Sequence, residues 1–346
     1  MSCRHRILLS ALGLAVLHAS LIAATPDDIS QYLLQVAKFA PADITSLEKG
    51  AVIARIMPGS SDSEVMVVAA VKIRASRDQA VNYYGQMISY VDGKVTTAFG
   101  RFSNPPSVAD VGALSFDASE VAHLKSCEPG DCDLRVGGTA LAALKGSVNW
   151  NAANTEAQAN ALIREAIVTY VGAYMKRGDD VLVTYNDRSK PVRLKGEWLG
   201  ILAASPYFGQ YATPLRDHLS MYPRRPAPGA RDILYWVNEK YTGLKPVVSV
   251  VHAVIYQDPT KPDRTIVAQK QLYASHYYDG SLAIVSANAA LDGSTPVTYL
   301  VYANRSRGDL LKGGFGGLKR KIAGDQAKTA AEQTLGTIKT VLEQSK

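Results

Sequence analysis

The sequence predicts an α+β fold: an antiparallel curved sheet packed on a long C-terminal helix, with a mainly helical insertion in the middle of the chain. Three observations predict it. Alternating apolar runs separated by turn residues fill 247–304, one long amphipathic stretch closes the chain, and helical spacing dominates 154–221.

The elements follow in order. Ile29 to Phe39 reads as a short helix ending before Pro41. Ala51 to Met57 and Val65 to Arg74 read as strands joined through Pro58-Gly59-Ser60-Ser61-Asp62, a loop composition that marks a hairpin. Ser76 caps a helix carrying Val81, Tyr84, Met87 and Ile88 at helical spacing, and Val95 to Phe102 reads as a further strand. Asn104-Pro105-Pro106 then breaks the pattern. In the centre, a helix from Asn154 or Thr155 to Lys176 carries Ile163, Ile167, Tyr170, Val171 and Tyr174 on one face and stops at Gly178. Val181 to Tyr185 is a short strand, Trp198 to Ala204 and Leu215 to Met221 are short helices, and Tyr222 to Gly229 is linker-like.

Strands return at Val247 to Gln257, Thr265 to Tyr278, Ser281 to Asn288 and Val297 to Asn304. Asp279-Gly280 carries the signal of a two-residue type I′ turn. Such a turn sets His276 opposite Ala283 and places Leu272, Ala274, His276, Ala283, Val285 and Ala287 on one small-residue face. The final helix answers with Ala327, Ala331, Leu335, Ile338 and Leu342, so the two surfaces are expected to approach closely. The chain divides accordingly into 1–24, 25–104, 105–235 (the insertion) and 236–346.

A basic start (Arg4, His5, Arg6), an apolar run from Ile7 to Leu17 and small residues to Ala24 read as a secretory signal, giving a periplasmic or secreted protein. The whole chain has a formal charge of +7. Loss of Arg4 and Arg6 lowers it to about +5, mild enough to allow contact with an anionic membrane surface without requiring one. Of the 3 cysteines, Cys127 and Cys132 flank Pro129-Gly130, a pair suited to a type II turn, and are expected to form a disulfide.

No catalytic signature stands out. Ser46 and Lys49 fit Ser-x-x-Lys without its companion Lys-Thr-Gly, and Gly313 to Gly317 lacks the Lys-Ser/Thr of a phosphate loop. Glu197, Asp232 and Glu239, beside Trp198, Tyr235 and Trp236, are a minor glycosidase possibility. No metal site or cofactor is expected, since His123, His218, His252 and His276 are isolated in sequence. No nucleic-acid module is present. His252 and His276 are the candidates for a polar handle near neutral pH. Arg305, Arg307, Lys319, Arg320 and Lys321 form a possible contact for anionic lipid.

The early strand from Ser63 to Arg74, the helix after Ser76, the late antiparallel meander and the long last helix together resemble the helix-grip fold of START-like lipid-transfer and polyketide-cyclase proteins, over roughly 45–100 and 245–346. The Cys127-Glu128-Pro129-Gly130-Asp131-Cys132 loop is similar to that of a group of secreted bacterial proteins. The helix-grip resemblance implies an apolar ligand held between sheet and helix. The expected function is therefore a non-enzymatic binder or carrier of an apolar or amphipathic small molecule, such as a lipid, with His252, Leu272, His276, Arg305 and Phe315 as ligand contacts. The alternatives are a cell-envelope hydrolase using His252 or His276 with a carboxylate, and a protein-binding envelope factor.

Overall fold

The computed structural model describes residues 27–241 and 243–344. The expected signal segment at 1–24 lies outside the described residues. Helix α1 (Asp27–Gln31) runs on through one π turn (Tyr32–Val36), and α2 (Pro41–Glu48) starts on a proline whose missing N–H costs nothing there. Pro41 thus opens a helix, while the one before it ends at Val36, ahead of Lys38 at φ +55°. Strands β1 (Ile53–Met57) and β2 (Glu64–Ile73) form the expected hairpin. Helix α3 (Arg77–Ile88) begins at Ser76, whose side chain and Gln79 cap each other's backbone N–H, and β3 (Thr96–Arg101) follows.

Between β3 and β6 lies the helical region: α4 (Ala118–Ser126), α5 (Gly138–Ser147), α6 (Thr155–Arg177), the two-residue strands β4 (Thr184–Tyr185) and β5 (Val192–Arg193), then α7 (Leu194–Ala203), α8 (Pro206–Tyr211) and α9 (Thr213–Met221). The Cys127–Cys132 disulfide closes just after α4. Gly130, at φ +91°, takes the left-handed position that the Pro-Gly turn requires. Strands β6 (Ala230–Glu239), β7 (Val247–Gln257), β8 (Arg264–Ala274), β9 (Gly280–Asp292) and β10 (Thr295–Arg307) lead to α10 (Gly316–Gln344).

The main sheet runs β1-β2-β10-β9-β8-β7-β6-β3, antiparallel throughout. Both faces are covered. On one, α3 and α10 pack through Ala80, Tyr84, Ala331, Leu335 and Ile338 onto Val67, Ala69, Val71, Val285 and Leu300. On the other, α1, α2 and α7 to α9 cover one end, while α4 to α6 cover the other. This double cover explains why every residue of β2 is buried and why it reads as a nearly unbroken apolar run. Burial of Leu335 or Ile338 stabilises the contact by about 1.5–3 kcal/mol each.

Two expectations change. The strand β6 starts at Ala230, inside the stretch expected to be insertion. The Asp279-Gly280 pair closes no hairpin: Ala283 faces Gln269 instead of His276, and the β8–β9 ladder ends at Lys270 opposite Leu282. β8 continues beside β7 alone, as far as Ala274 opposite Ser249. Asp279 is held inside by Arg135, Oδ1 to Nη1 2.6 Å, with both side chains almost wholly buried, so a solvent-facing turn cannot form there. Moving the partner of Ala283 from His276 to Gln269 is a shift of seven residues, an odd number, so Leu272 faces α4 to α6 while Val285 and Ala287 face α10. The two-residue turn is the next one, Gly293-Ser294 between Asp292 and Thr295, with Gly293 at φ +61°.

Candidate functional site

On the face covered by α1, α2 and α4 to α9, strands β6, β7 and β8 carry a polar line between two apolar stretches. On β7, Val248 and Val250 pack under α4 to α6, Val254 and Tyr256 under α1 and α7 to α9, and His252 lies between. On β8 the same division places Leu272 on one side, Ile266 and Ala268 on the other, and Lys270 between. On β6, Leu234 and Trp236 belong to one side and Asp232 borders the other. Period-two alternation and ladder register alone therefore align Asp232, His252 and Lys270 across three strands, since His252 pairs with both Leu234 and Lys270. They form a polar seam between the two halves of the helical cover.

Helices complete the seam. In α9, Leu215, His218 and Leu219 share the buried face at i, i+3 and i+4 spacing. In α6 the stripe Ile163, Ile167, Val171 brings Tyr174 to the same place. Nε2 of His218 lies 2.7 Å from Oδ1 of Asp232, and Nε2 of His252 lies 2.8 Å from that same oxygen. Each far ring nitrogen is engaged: Nδ1 of His218 with the Arg225 carbonyl at 3.0 Å, and Nδ1 of His252 with the Tyr174 hydroxyl at 2.9 Å. Tyr222 packs on both Tyr174 and His252, with ring centroids 5.3 and 4.5 Å away.

The two histidines differ electrostatically. The hydrogen bond to Asp232 pushes His218 above the ordinary imidazole range, outweighing burial, whereas burial pulls His252 below it despite the same carboxylate. Burial works to raise Asp232, but the bonds from both imidazoles hold it well below the usual carboxylate range. Deeper in the seam, the ammonium of Lys270 is paired with Asp179 and donates to the Leu219 carbonyl at 2.9 Å, with the Trp198 ring 4.4 Å away. Burial lowers its pKa to about 8 against the opposing pull of Asp179. The opening is at Asp232: its side chain is 30% exposed, those of His218 and His252 only 3% and 0%.

The donor atoms of His218, Asp232 and His252 all lie within 4.8 Å of one another. Donors about a tetrahedral ion with bonds of about 2.1 Å stand about 3.4 Å apart, so the contacts of 2.7 and 2.8 Å would have to open by about 0.6–0.7 Å for the three residues to hold one. The Arg225 carbonyl accepts only, so it fixes the proton of His218 on Nδ1 and leaves Nε2 to point a lone pair inward. That is the orientation metal-binding histidines use. Without an ion, the same contacts require a doubly protonated His218 against the Asp232 carboxylate.

The expected site residues scatter. His252 is central, but His276 lies beyond β8, closed in by Glu120 (Nε2 to Oε1 3.0 Å) and the Asp133 carbonyl. Leu272 is core beneath α4 to α6. Arg305 is spent on the buried Glu64, and Arg307 bonds Glu64 and Glu197. Phe315 stands in solvent, 76% exposed. The three carboxylates of the glycosidase possibility also part company, with Glu197 on Arg307, Asp232 on the imidazoles and Glu239 on the Tyr241 hydroxyl. Sequence reasoning missed His218, Asp232, Tyr174 and Lys270 as partners of His252. The available signal was the alternation Asp232, Leu234, Trp236 on β6, hidden because the strand opens on the polar pair Arg231-Asp232.

Comparison of the chain with models of known protein families finds no match, and comparison with curated proteins finds none either. Among the described residues, no helix is long and apolar enough to cross a membrane.

Proposed function

We propose that the protein is a divalent-metal protein acting outside the cytoplasm, with His218, Asp232 and His252 as ligands and hydrolysis as its chemistry. One observation carries the reading: two imidazole Nε2 atoms converge on a single carboxylate oxygen at the only exposed edge of the triad. Three protein donors leave coordination positions for water and substrate, as in catalytic zinc centres, and a bound ion supplies an activated water. The mixed nitrogen and oxygen donors suit Zn²⁺ or a similar first-row ion better than Ca²⁺ or Mg²⁺. The leader-like N-terminus and the disulfide support the compartment.

A helix-grip relationship belongs to the same proposal, supported by α10 and α3 on one face and by β2 pairing with the last strand, β10. Carriage of a lipid inside the grip is less well supported. Ala331, Leu335 and Ile338 fill the contact with the sheet, and a cavity under α1, lined by Tyr32, Tyr207 and Arg264, has a volume of about 10 Å³, room for one water.

Metal uptake tests the reading. Protein stripped with chelator and dialysed against Zn²⁺ should retain one ion per chain by elemental analysis, and the His218→Ala/His252→Ala variant should retain none. Failure of the folded wild-type chain to take up stoichiometric metal across the first-row divalent series would sink it.

A further inference from the structure

The first turns of α10 carry an apolar row that no part of the described chain covers. Phe315, Leu318 and Ile322, at i, i+3 and i+7 spacing, are 76%, 58% and 49% exposed, and Leu310 beside them is 40% exposed. The N–H of Lys319 donates to the Phe315 carbonyl at 3.0 Å, so Phe315 is held on the helix rather than loose in the loop before it. The opposite side of the same turns faces the protein. Gly316 and Gly324 are buried, and a Cβ added at Gly324 would meet Ile56 at 3.2 Å. The outward row is thus fixed in direction by close inward contacts, tightest at Gly316, where a Cβ would stand 2.5 Å from the Leu311 carbonyl oxygen.

Its charge setting is net cationic. Between Leu310 and Gly324 the chain has Lys312, Lys319, Arg320 and Lys321 and no acidic residue. Lys312, Lys319 and Lys321 are exposed; Arg320 is turned back to the Asp62 and Leu311 carbonyls with the Asp62 carboxylate 3.8 Å away, and Lys321 shares its charge with Asp325 at 2.9 Å, so the cationic excess rests on Lys312 and Lys319. Arg305 and Arg307 do not contribute, because the buried Glu64 holds both.

We propose that this patch docks the protein on the surface of a bilayer containing anionic phospholipid. Phe315, Leu318 and Ile322 enter the boundary between head groups and acyl chains, and the lysines lie among the phosphates. Exposed apolar side chains in a cationic rim match that surface on both counts. A second copy of the same chain would set cation against cation. The proposal is independent of the metal centre, which lies on the other face of the sheet.

Co-sedimentation with vesicles tests it. Wild-type protein is expected to bind vesicles of mixed phosphatidylglycerol and phosphatidylcholine, to bind pure phosphatidylcholine poorly, and to detach at high salt. Phe315→Ser/Leu318→Ser and Lys319→Glu/Lys321→Glu should each lower partitioning by about tenfold or more. All four positions are exposed, so thermal melting should change little, with only the loss of the surface Lys321–Asp325 pair to register. Phe315→Trp in the otherwise native chain should shift its emission to the blue on anionic vesicles. Absence of wild-type binding, equal binding to pure phosphatidylcholine, or variants that bind like wild type would each overturn the proposal. So would a concentration-dependent dimer in sedimentation that Phe315→Ser/Leu318→Ser abolishes, since the patch would then belong to a second copy.

Discussion

His252 lies directly opposite Lys270 in the β7–β8 ladder, and the two separate the apolar packing on one sheet face into two halves. Lys270 is wholly buried and depends on Asp179, itself 6% exposed. Lys270→Met should therefore cost about 3–5 kcal/mol, because it strands a buried carboxylate rather than because the pair is intrinsically strong. Adding Asp179→Asn should recover most of the loss, read from urea midpoints at constant slope. If the double variant is no more stable than the single, the seam does not depend on this pair.

Tyr174 meets Nδ1 of His252 at 2.9 Å and touches no proposed ligand atom directly. If Nε2 of His252 binds an ion, Tyr174→Phe removes the group that orients the ring. Zn²⁺ affinity should then fall by about 10–100-fold, with a loss of about 1–3 kcal/mol in unfolding free energy from the unpartnered Nδ1. Calorimetric titration separates the two effects. Unchanged affinity would mean that His252 is not held in place through its far nitrogen.

Glu64 gives the fold an acid-sensitive point away from the seam. Burial works to raise its pKa, but the backbone N–H and hydroxyl of Ser60 and the guanidinium groups of Arg307 and Arg305 outweigh it, leaving it below the ordinary value. A depressed folded-state pKa contributes stability that is complete above the unfolded value of about 4.3 and is lost as pH falls through the folded one. Wild-type unfolding free energy should thus drop below about pH 4. Glu64→Gln should be weaker by about 3–5 kcal/mol at neutral pH, with Arg305 left without its carboxylate and Arg307 with only Glu197, and should show a shallower acid limb. Parallel limbs in a urea series across pH would remove Glu64 as the cause.

Most of the frame was legible in the sequence because local physics decided it. Ser76 and Gln79 cap α3, Gly178 stops α6, and the Ala331, Leu335, Ile338 stripe meets the sheet as its spacing implied. The Asp279 turn was misread because its carboxylate bonds Arg135, a residue 144 positions earlier, and no local pattern reports that contact. The triad was hidden for the same reason. His218 looks like one polar residue on a helix face and Asp232 like a strand-end acid, and only the turn after α9 together with the β6–β7 register brings them to His252.

The Cys127–Cys132 disulfide closes a loop of sequence separation 5 beside α4 and α5. So short a loop restricts the unfolded chain little, and the chain-entropy relation gives about 2 kcal/mol. Reduction under non-denaturing conditions should therefore lower the melting temperature by a few degrees and leave the fold intact, measured by circular dichroism with and without reductant. Collapse of the whole structure on reduction would show that the loop holds α4 and α5 in place by more than its entropy.

Gly178 connects backbone geometry to the seam. It sits at φ +60°, and a Cβ there would stand 1.8 Å from the Tyr222 carbonyl oxygen, well inside any contact that packing can absorb. Gly178→Ala adds left-handed strain to that clash and should cost about 3 kcal/mol or more. Relief requires moving Tyr222, whose ring packs on His252, so Zn²⁺ affinity should fall together with stability. Gly336 is the control: it lies inside α10 with no neighbour in the way, and Gly336→Ala should be neutral or stabilising by about 0.5–1 kcal/mol without effect on metal. If Gly178→Ala lowers stability but binds Zn²⁺ as tightly as wild type, the position of Tyr222 matters to the fold and not to the site.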